Sequence, residues 1–140
     1  MPKKKKRRQG KLNRAAGARF ELKVRGNLES DGWIVDKWTN NVDLEEGKLV
    51  KAKRKYNPYK KVLGIGTGFP DFIAFKRKGK NYEIVGIEVR TIGYLNKEER
   101  EKCTWYLKNK IFSKILIAKS VREGRRINVH YIDFGKKYKK

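Results

Sequence analysis

The sequence has few cysteine, methionine and proline residues and no long apolar run, which argues against several classes of protein. Its 140 residues include one cysteine, Cys103, one methionine and three prolines. A single cysteine excludes an intrachain disulfide framework and is typical of a reducing compartment. No run of about 18 apolar residues occurs, and no signal-peptide core follows the basic start of the chain. We therefore expect a cytoplasmic protein, nucleoid-associated in a prokaryote or nuclear in a eukaryote, with no membrane partner.

Acidic residues are also scarce. The chain has 38 Lys and Arg against 15 Asp and Glu, a net charge of +23. Self-repulsion of this size favours a polyanionic partner. An anionic membrane would call for an amphipathic basic helix, whereas here the basic residues are spread over the whole chain. The composition therefore indicates nucleic acid as the partner.

Blocks of basic residues mark the regions expected to contact phosphate. Residues 1–12 read as a disordered basic arm and residues 136–140 as a basic tail, although a nuclear localisation signal or a solubilising tail would look the same. Residues 48–61 are basic with two interleaved tyrosines. The candidate DNA-binding residues are Lys3, Lys4, Lys5, Lys6, Arg7, Arg8, Lys51, Lys53, Arg54, Lys55, Lys60, Lys61 and Lys97.

Hydrophobic periodicity predicts one domain over residues 13–135, with helices and strands mixed along the chain. The predicted order is a helix at Asn13–Ser30, strands at Trp33–Trp38, Phe72–Phe75 and Tyr82–Ile92, a helix from Asn96 to about Lys110, and strands at Lys114–Lys119 and Ile127–Phe134. Asn96 and Glu99 form a capping-box pattern at the second helix. Thr39–Leu63 shows no clear period and is expected to be a long loop or an irregular hairpin that faces the ligand.

Two acidic residues stand where carboxylates can converge. Asp71 follows Pro70 at the start of one strand, and Glu88 lies within the next, with Arg90 on the same face two residues later. A hairpin between these strands would bring Asp71 close to Glu88 and form an oxygen site for Mg²⁺ or Mn²⁺. The alternative is an ordinary solvated face on which Glu88 and Arg90 simply pair.

These motifs resemble those of a known nuclease superfamily. The run GFPDFIAF followed by IVGIEVR resembles the PD-(D/E)XK motif, with Asp71 in the first half and Glu88-Val89-Arg90 in the second. Gly17 and Glu21 are similar to the first helix of archaeal Holliday junction resolvases, and the glycine-rich lead into Pro70 is similar to virus-type replication-repair nucleases. The resemblance implies the α/β class: a single restriction-endonuclease-like domain with a central mixed β-sheet flanked by helices and an α-β-β-β-α-β core.

The resemblance also implies an activity. It points to a metal-dependent endonuclease that hydrolyses DNA phosphodiester bonds, with branched or other structured DNA as one substrate class. Asp71, Glu88 and the carbonyl of Val89 would hold one or two Mg²⁺ (or Mn²⁺) ions, and Glu21 would orient a water or complete a second site. Arg90 would donate to the phosphate. The way resolvases act on two strands is consistent with a two-fold homodimer.

One position departs from the family pattern, because Arg90 stands where the motif has lysine. An arginine stays protonated and cannot act as a base. Three explanations remain open: the metal alone activates water, Lys97 substitutes for the missing lysine, or the protein is a catalytically inactive DNA-binding relative. A structural nucleic-acid protein of ribosomal type is a further alternative, based on charge alone. We expect His130 to be packed or exposed and not catalytic, and Cys103 to be a small core residue. Trp105 is expected in the core, with a stacking surface as the alternative.

Overall fold

The computed structural model describes residues 3–52, 54–57, 62–65 and 68–138, and for residues 3–11, 13, 54–57 and 62–65 it describes the backbone alone. No helix in these ranges is long and apolar enough to cross a membrane. The elements are α1 (Lys3–Ser30), β1 (Ile34–Lys37), β2 (Asn40–Asp43), β3 (Lys48–Lys51), β4 (Arg54–Asn57), β5 (Val62–Ile65), β6 (Phe72–Lys78), β7 (Asn81–Val89), α2 (Lys97–Lys108), β8 (Lys114–Glu123), β9 (Arg126–Asp133) and α3 (Phe134–Lys137).

A five-stranded sheet in the order β1-β6-β7-β8-β9 forms the centre of the protein. β7 and β8 are parallel and joined through α2, whereas the other neighbouring strands are antiparallel. Residues of α1 belong to the hydrophobic core on one face of this sheet, and residues of α2 and α3 to the core on the other. The predicted α/β class with a central mixed sheet flanked by helices is confirmed, and α1-β1-β6-β7-α2-β8 gives the order α-β-β-β-α-β.

Helix α1 is anchored by one apolar stripe. Phe20, Val24 and Leu28 recur every four residues and are buried against the sheet. The helix ends in a Schellman motif, in which the amides of Gly32 and Trp33 donate to the carbonyls of Glu29 and Leu28. The left-handed backbone of this motif requires φ of +92° at position 32, where the chain has glycine.

The start of α1 differs from the prediction. The helix begins at Lys3 and not at Asn13, so its backbone includes most of the segment expected to be a disordered arm. Lys, Arg, Gln and Leu all favour helix, and Gly10 alone is too weak an interruption to end it. Similarly, Asp133 caps the short helix α3, which contains two lysines of the expected tail. The division of the chain at residues 12 and 135 stays a prediction.

The segment expected to be a long loop contains two hairpins. β2 pairs with β3, and β4 pairs with β5, each outside the central sheet. In the first hairpin Val42 lies opposite Leu49 and is buried against the α2 side of the core. The loop interpretation is therefore wrong for this segment, and the alternative of an irregular hairpin is closer. Val42 is buried in a cluster with residues far along the chain, which is tertiary packing that local periodicity does not reveal.

Two hydrogen bonds from separate parts of the chain fix the short segment that leads into β6, and a third joins their two donor residues. The hydroxyl of Tyr106, in α2, donates to the carbonyl of Phe69 and accepts from the indole of Trp38. The amide of Trp38 in turn donates to the carbonyl of Asp71 at 3.1 Å. Because α2 and the end of β1 both hold this segment, the position of the Asp71 backbone is set by the packing of the α2 face.

Gly86 of β7 allows this segment to approach the sheet, which leads to a stability prediction. A Cβ atom at position 86 would lie 3.0 Å from Cγ of Pro70 and 3.1 Å from the ring of Phe112. We expect Gly86→Ala to lower the free energy of unfolding by about 1–3 kcal/mol in urea titrations. The control is Gly26→Ala in α1, where the added methyl meets open space and helix propensity favours alanine by up to ~1 kcal/mol. Unchanged stability of Gly86→Ala would contradict this packing.

Candidate active site

Asp71 and Glu88 lie together at one end of the β6–β7 pair. The amide of Asp71 donates to Oε1 of Glu88 at 3.1 Å, and the amide of Val89 donates to Oδ2 of Asp71 at 2.9 Å. Each carboxylate is thus held by the backbone beside the other one. Glu88 is only 2% exposed and is the one charged residue buried to this degree among the described residues. The antiparallel register, with Phe72 opposite Ile87, creates this reciprocal arrangement.

Burial and the nearby Asp71 change the protonation of Glu88. Burial, and next the neighbouring Asp71 carboxylate, raise the pKa of Glu88 to about 9, although Arg90 favours its charged form. Burial and the charge of Asp71 also raise the pKa of Glu21, against the effect of Lys37. Glu21 therefore lies within electrostatic reach of Asp71. Two converging carboxyl groups, one of which keeps its proton, form a place where a cation would be stabilised.

Arg90 supplies part of that compensation. One of its terminal nitrogens, Nη2, lies 2.8 Å from Oε2 of Glu88 and also contacts Oε2 of Glu99, in α2. The Nε atom of Arg90 is buried and has no hydrogen-bond partner in the structure. The Glu88–Arg90 pairing considered from the sequence is therefore present, but the arginine is shared with a second acid.

Glu99 is a site residue that the sequence analysis assigned only to helix capping. Its Oε1 accepts from the amide of Asn96 at 3.0 Å, and the side chain of Asn96 accepts from the amide of Glu99 at 2.8 Å. The predicted capping box is thus confirmed. The other oxygen, Oε2, faces Arg90. The capping pattern accounted for a glutamate at this position, and no local signal indicated that α2 would face the end of β7.

A cleft of about 540 Å³ opens beside these residues. Its walls include Glu21 from α1, Val89 and Arg90 from the end of β7, and Glu99 from α2. Val85 and Ile87 belong to the core on the α1 face, so the alternation of β7 directs Glu88 and Arg90 to the α2 face. Three elements therefore meet at the carboxyl end of β7 and surround a space open to solvent.

The donor set can be compared with what a divalent cation requires. Among the described residues no group of three or more His, Cys, Asp or Glu side chains is arranged to hold a metal ion. Glu21 therefore does not join Asp71 and Glu88 in one cluster, since α1 packs on the sheet face opposite Glu88. Mg²⁺ commonly uses only one or two carboxylates, with water and substrate phosphate completing the shell. Asp71 and Glu88 fit that requirement, while a ligand role for Glu21 stays a prediction.

The predicted DNA-binding residues are only partly described. Lys97 is exposed at the first position of α2, and Lys51 is exposed at the end of β3. Lys53, Lys60 and Lys61 lie outside the described residues, and Lys3–Arg8, Arg54 and Lys55 are described by their backbone alone. His130 is exposed on β9 and pairs with Glu123, and Cys103 is fully buried in the core.

Comparison with known proteins adds one structural likeness. No family model matches the chain, and no curated protein matches it. A search of solved structures finds Hjc, a Holliday junction resolvase from the archaeal hyperthermophile Archaeoglobus fulgidus, at 16% sequence identity and a TM-score of 0.45. The likeness covers 84% of this chain and 76% of that one. A likeness at this level decides no function, which has to be inferred from this chain's own residues.

The raised pKa of Glu88 predicts how stability depends on pH. In the folded protein Glu88 keeps its proton from its ordinary pKa of 4.5 up to about 9, whereas the unfolded chain releases it near 4.5. Because the folded protein holds this proton more tightly than the unfolded chain, the contribution of Glu88 to stability is complete below pH 4.5. It is lost as the pH rises to about 9. Because Gln cannot ionise, Glu88→Gln should gain stability relative to wild type across this range, by at most about 1.4 kcal/mol per pH unit.

The measurement is the thermal midpoint of both proteins in EDTA from pH 4 to 9. Glu101→Gln, an exposed change in α2, is the control and should follow wild type throughout. A difference between Glu88→Gln and wild type that stays constant with pH would contradict the assignment of a neutral, buried Glu88.

Proposed function

We propose that this protein is a metal-dependent endonuclease of the PD-(D/E)XK kind that hydrolyses phosphodiester bonds in DNA. The observation that carries the proposal is the reciprocal hydrogen bonding of Asp71 and Glu88 with each other's strand. These carboxylates lie next to an open cleft in a chain of net charge +23. Converging acids are unfavourable for binding a polyanion unless a cation is recruited between them and the phosphate.

Asp71, Glu88 and the carbonyl of Val89 are the groups that would hold Mg²⁺ or Mn²⁺. A bound divalent cation supplies positive charge at the reacting phosphate and makes water a stronger nucleophile. The protein contributes rigid placement: the amides of Asp71 and Val89 fix one oxygen of each carboxylate, while Oε2 of Glu88 contacts Arg90 and would exchange this partner for the cation. The burial of Glu88 excludes water from one side of the site and strengthens its interaction with a cation.

Arg90 would act as an electrostatic donor to the phosphate. It remains protonated and cannot take a proton from water, but its planar group offers several donors at once. Its side chain is 40% exposed where it lines the cleft. Glu99 keeps the guanidinium at the end of β7 when Glu88 is engaged elsewhere. Glu21, on the opposite wall, can accept a hydrogen bond from the attacking water.

The basic segments would hold the DNA backbone without reading its sequence. Lysine and arginine contacts to phosphate provide affinity and orientation but no base discrimination. The branched or structured DNA of recombination, repair or replication is the substrate class that the resemblance implies. A two-fold homodimer would place two such clefts on two strands.

The second candidate function is a nuclease-like DNA-binding protein without activity. Arg90 favours it, because its contacts with Glu88 and Glu99 already compensate buried negative charge with no metal. The two candidates differ in their response to divalent cations and can be separated directly.

Cleavage by the variant Asp71→Asn tests the proposal. Asp71→Asn keeps the shape of the side chain but removes its charge, and it should reduce Mg²⁺- or Mn²⁺-dependent nicking of plasmid DNA by at least about 100-fold. DNA affinity in EDTA should be retained or increased, since the variant removes a negative charge that faces phosphate. Asp36→Asn, an exposed change on β1, should cut like wild type. Undiminished cleavage by Asp71→Asn would overturn the site assignment.

Arg90→Lys distinguishes the active enzyme from the inactive relative. If Arg90 serves an active site, Arg90→Lys should keep activity within about tenfold, because the positive charge remains, while Arg90→Ala should lose most of it. If wild type is inert and Arg90→Lys cuts DNA, the second candidate is correct. Branched, flapped, single-stranded and plasmid DNA should each be assayed with Mg²⁺, Mn²⁺ and EDTA.

The basic start of α1 can be tested through the salt dependence of binding. Changing the six residues Lys3–Arg8 to Gln retains helix propensity and removes six charges. The slope of log affinity against log salt should flatten by about 0.9 for each DNA phosphate that the variant no longer neutralises. Changing Lys78 and Lys80, at the opposite end of β7 from Glu88, should leave the slope almost unaltered. An unchanged slope in the six-residue variant would show that this segment does not touch DNA.

A further inference from the structure

Two large apolar side chains stand exposed on the rim of the cleft. Ile92 is 68% exposed and Tyr94 is 67% exposed, and both line the same space as Glu21 and Arg90. They follow β7 directly, so Tyr94 is only four residues beyond Arg90. None of the catalytic roles proposed above uses either side chain.

Their exposure is imposed by a well-anchored loop. The amide of Gly93 donates to the carbonyl of Arg90 at 2.8 Å, and the amide of Ser120 in β8 donates to the carbonyl of Thr91 at 3.1 Å. Gly93 has φ of +78°, and a Cβ atom there would come within 2.9 Å of the Lys119 side chain. Leu95 is buried in the core. The loop is thus fixed at both ends, and Ile92 and Tyr94 are held outwards.

The surroundings of Tyr94 are cationic. The ammonium group of Lys137 lies 4.9 Å from the centre of the tyrosine ring, and Lys119 lies beneath the adjacent Gly93. An aromatic ring beside lysines is the combination with which proteins bind unpaired nucleotides, because the ring stacks on a base while the cations attract its phosphate. In an intact duplex both faces of a base are already stacked, and releasing them costs free energy.

We infer that Ile92 and Tyr94 hold an unpaired base next to the phosphate that is cut, so that the preferred substrate has unpaired nucleotides at the cleavage point. This inference rests on the proposed function for the position of the cut. The binding of an unpaired base by Tyr94 can be measured separately from cleavage. A protein partner fits less well, because Lys137 lies at the Tyr94 ring and Lys119 beneath Gly93, and a polyanion would neutralise both.

Binding in EDTA provides the test, because it needs no cleavage. The probes are a single-stranded oligonucleotide, a forked duplex with 2-aminopurine in its unpaired arm, and a blunt duplex of the same length. Tyr94→Ala should weaken binding of the first two by about 5- to 150-fold, the value of one base stacked on an aromatic ring, with less than about a twofold effect on the blunt duplex. Wild type should quench 2-aminopurine fluorescence on binding, Tyr94→Phe should retain this quenching, and Tyr94→Ala should lose most of it.

Tyr82→Ala is the matched control, since Tyr82 is 55% exposed at the opposite end of β7, and it should bind all three probes like wild type. Circular dichroism verifies that each variant is folded. Equal weakening on blunt duplex, unchanged binding to the fork, or a change in oligomeric state without a change in DNA binding would each overturn the inference. The cleavage activity of Asp71→Asn tests the nuclease proposal. The binding results in EDTA do not depend on that outcome.

Discussion

The pairing of β6 with β7 brings a carboxylate from the start of one strand onto the backbone of the other. Asp71 accepts from the amide of Val89, and Glu88 accepts from the amide of Asp71. Neither contact survives a one-residue slip of the register, which would turn Glu88 to the α1 face. The packing of Gly86 against Pro70 and Phe112, and the hydrogen bond from Tyr106 to Phe69, hold the same segment from the α2 side. Much of the architecture on that face therefore serves to keep these two acids together.

Keeping them together has an electrostatic cost that the surrounding residues only partly offset. Glu88 is buried beside a second carboxylate, and its proton is retained to about pH 9. Arg90 opposes this effect, but Glu99 contacts the same Nη2 atom. The planar guanidinium of an arginine can donate hydrogen bonds to two carboxylates and a phosphate, whereas a lysine presents a single compact charge. Arg90 and Glu99 are therefore best understood as one unit, in which the residue two positions after Glu88 and the first turn of α2 share an ion pair.

The strand alternation and the capping box could be predicted from the sequence, and the long-range contacts could not. Period-two patterning placed Glu88 and Arg90 on one face of β7, and Asn96 with Glu99 marked the start of α2. The hairpin of β2 and β3 was missed because Val42 is buried in a cluster whose other residues lie far along the chain. The start of α1 at Lys3 was missed because a run of like charges was given more weight than good helix propensity. The second contact of Glu99 depends on where α2 crosses the sheet, which no local pattern specifies.

Under the proposed function, the two rims of the cleft would impose different requirements on the DNA, and few substrates would meet both. The rim formed by Arg90, with Asp71 and Glu88 behind it, would accept a phosphate only with added positive charge. The rim around Tyr94 needs no added positive charge, because lysines there attract phosphate. Its exposed ring instead needs an apolar partner. A paired duplex can satisfy the first rim alone, since its bases are stacked on each other. A strand with a freed base would satisfy both, because the segment from Arg90 to Tyr94 would place the proposed phosphate site and the aromatic ring on one continuous, anchored loop.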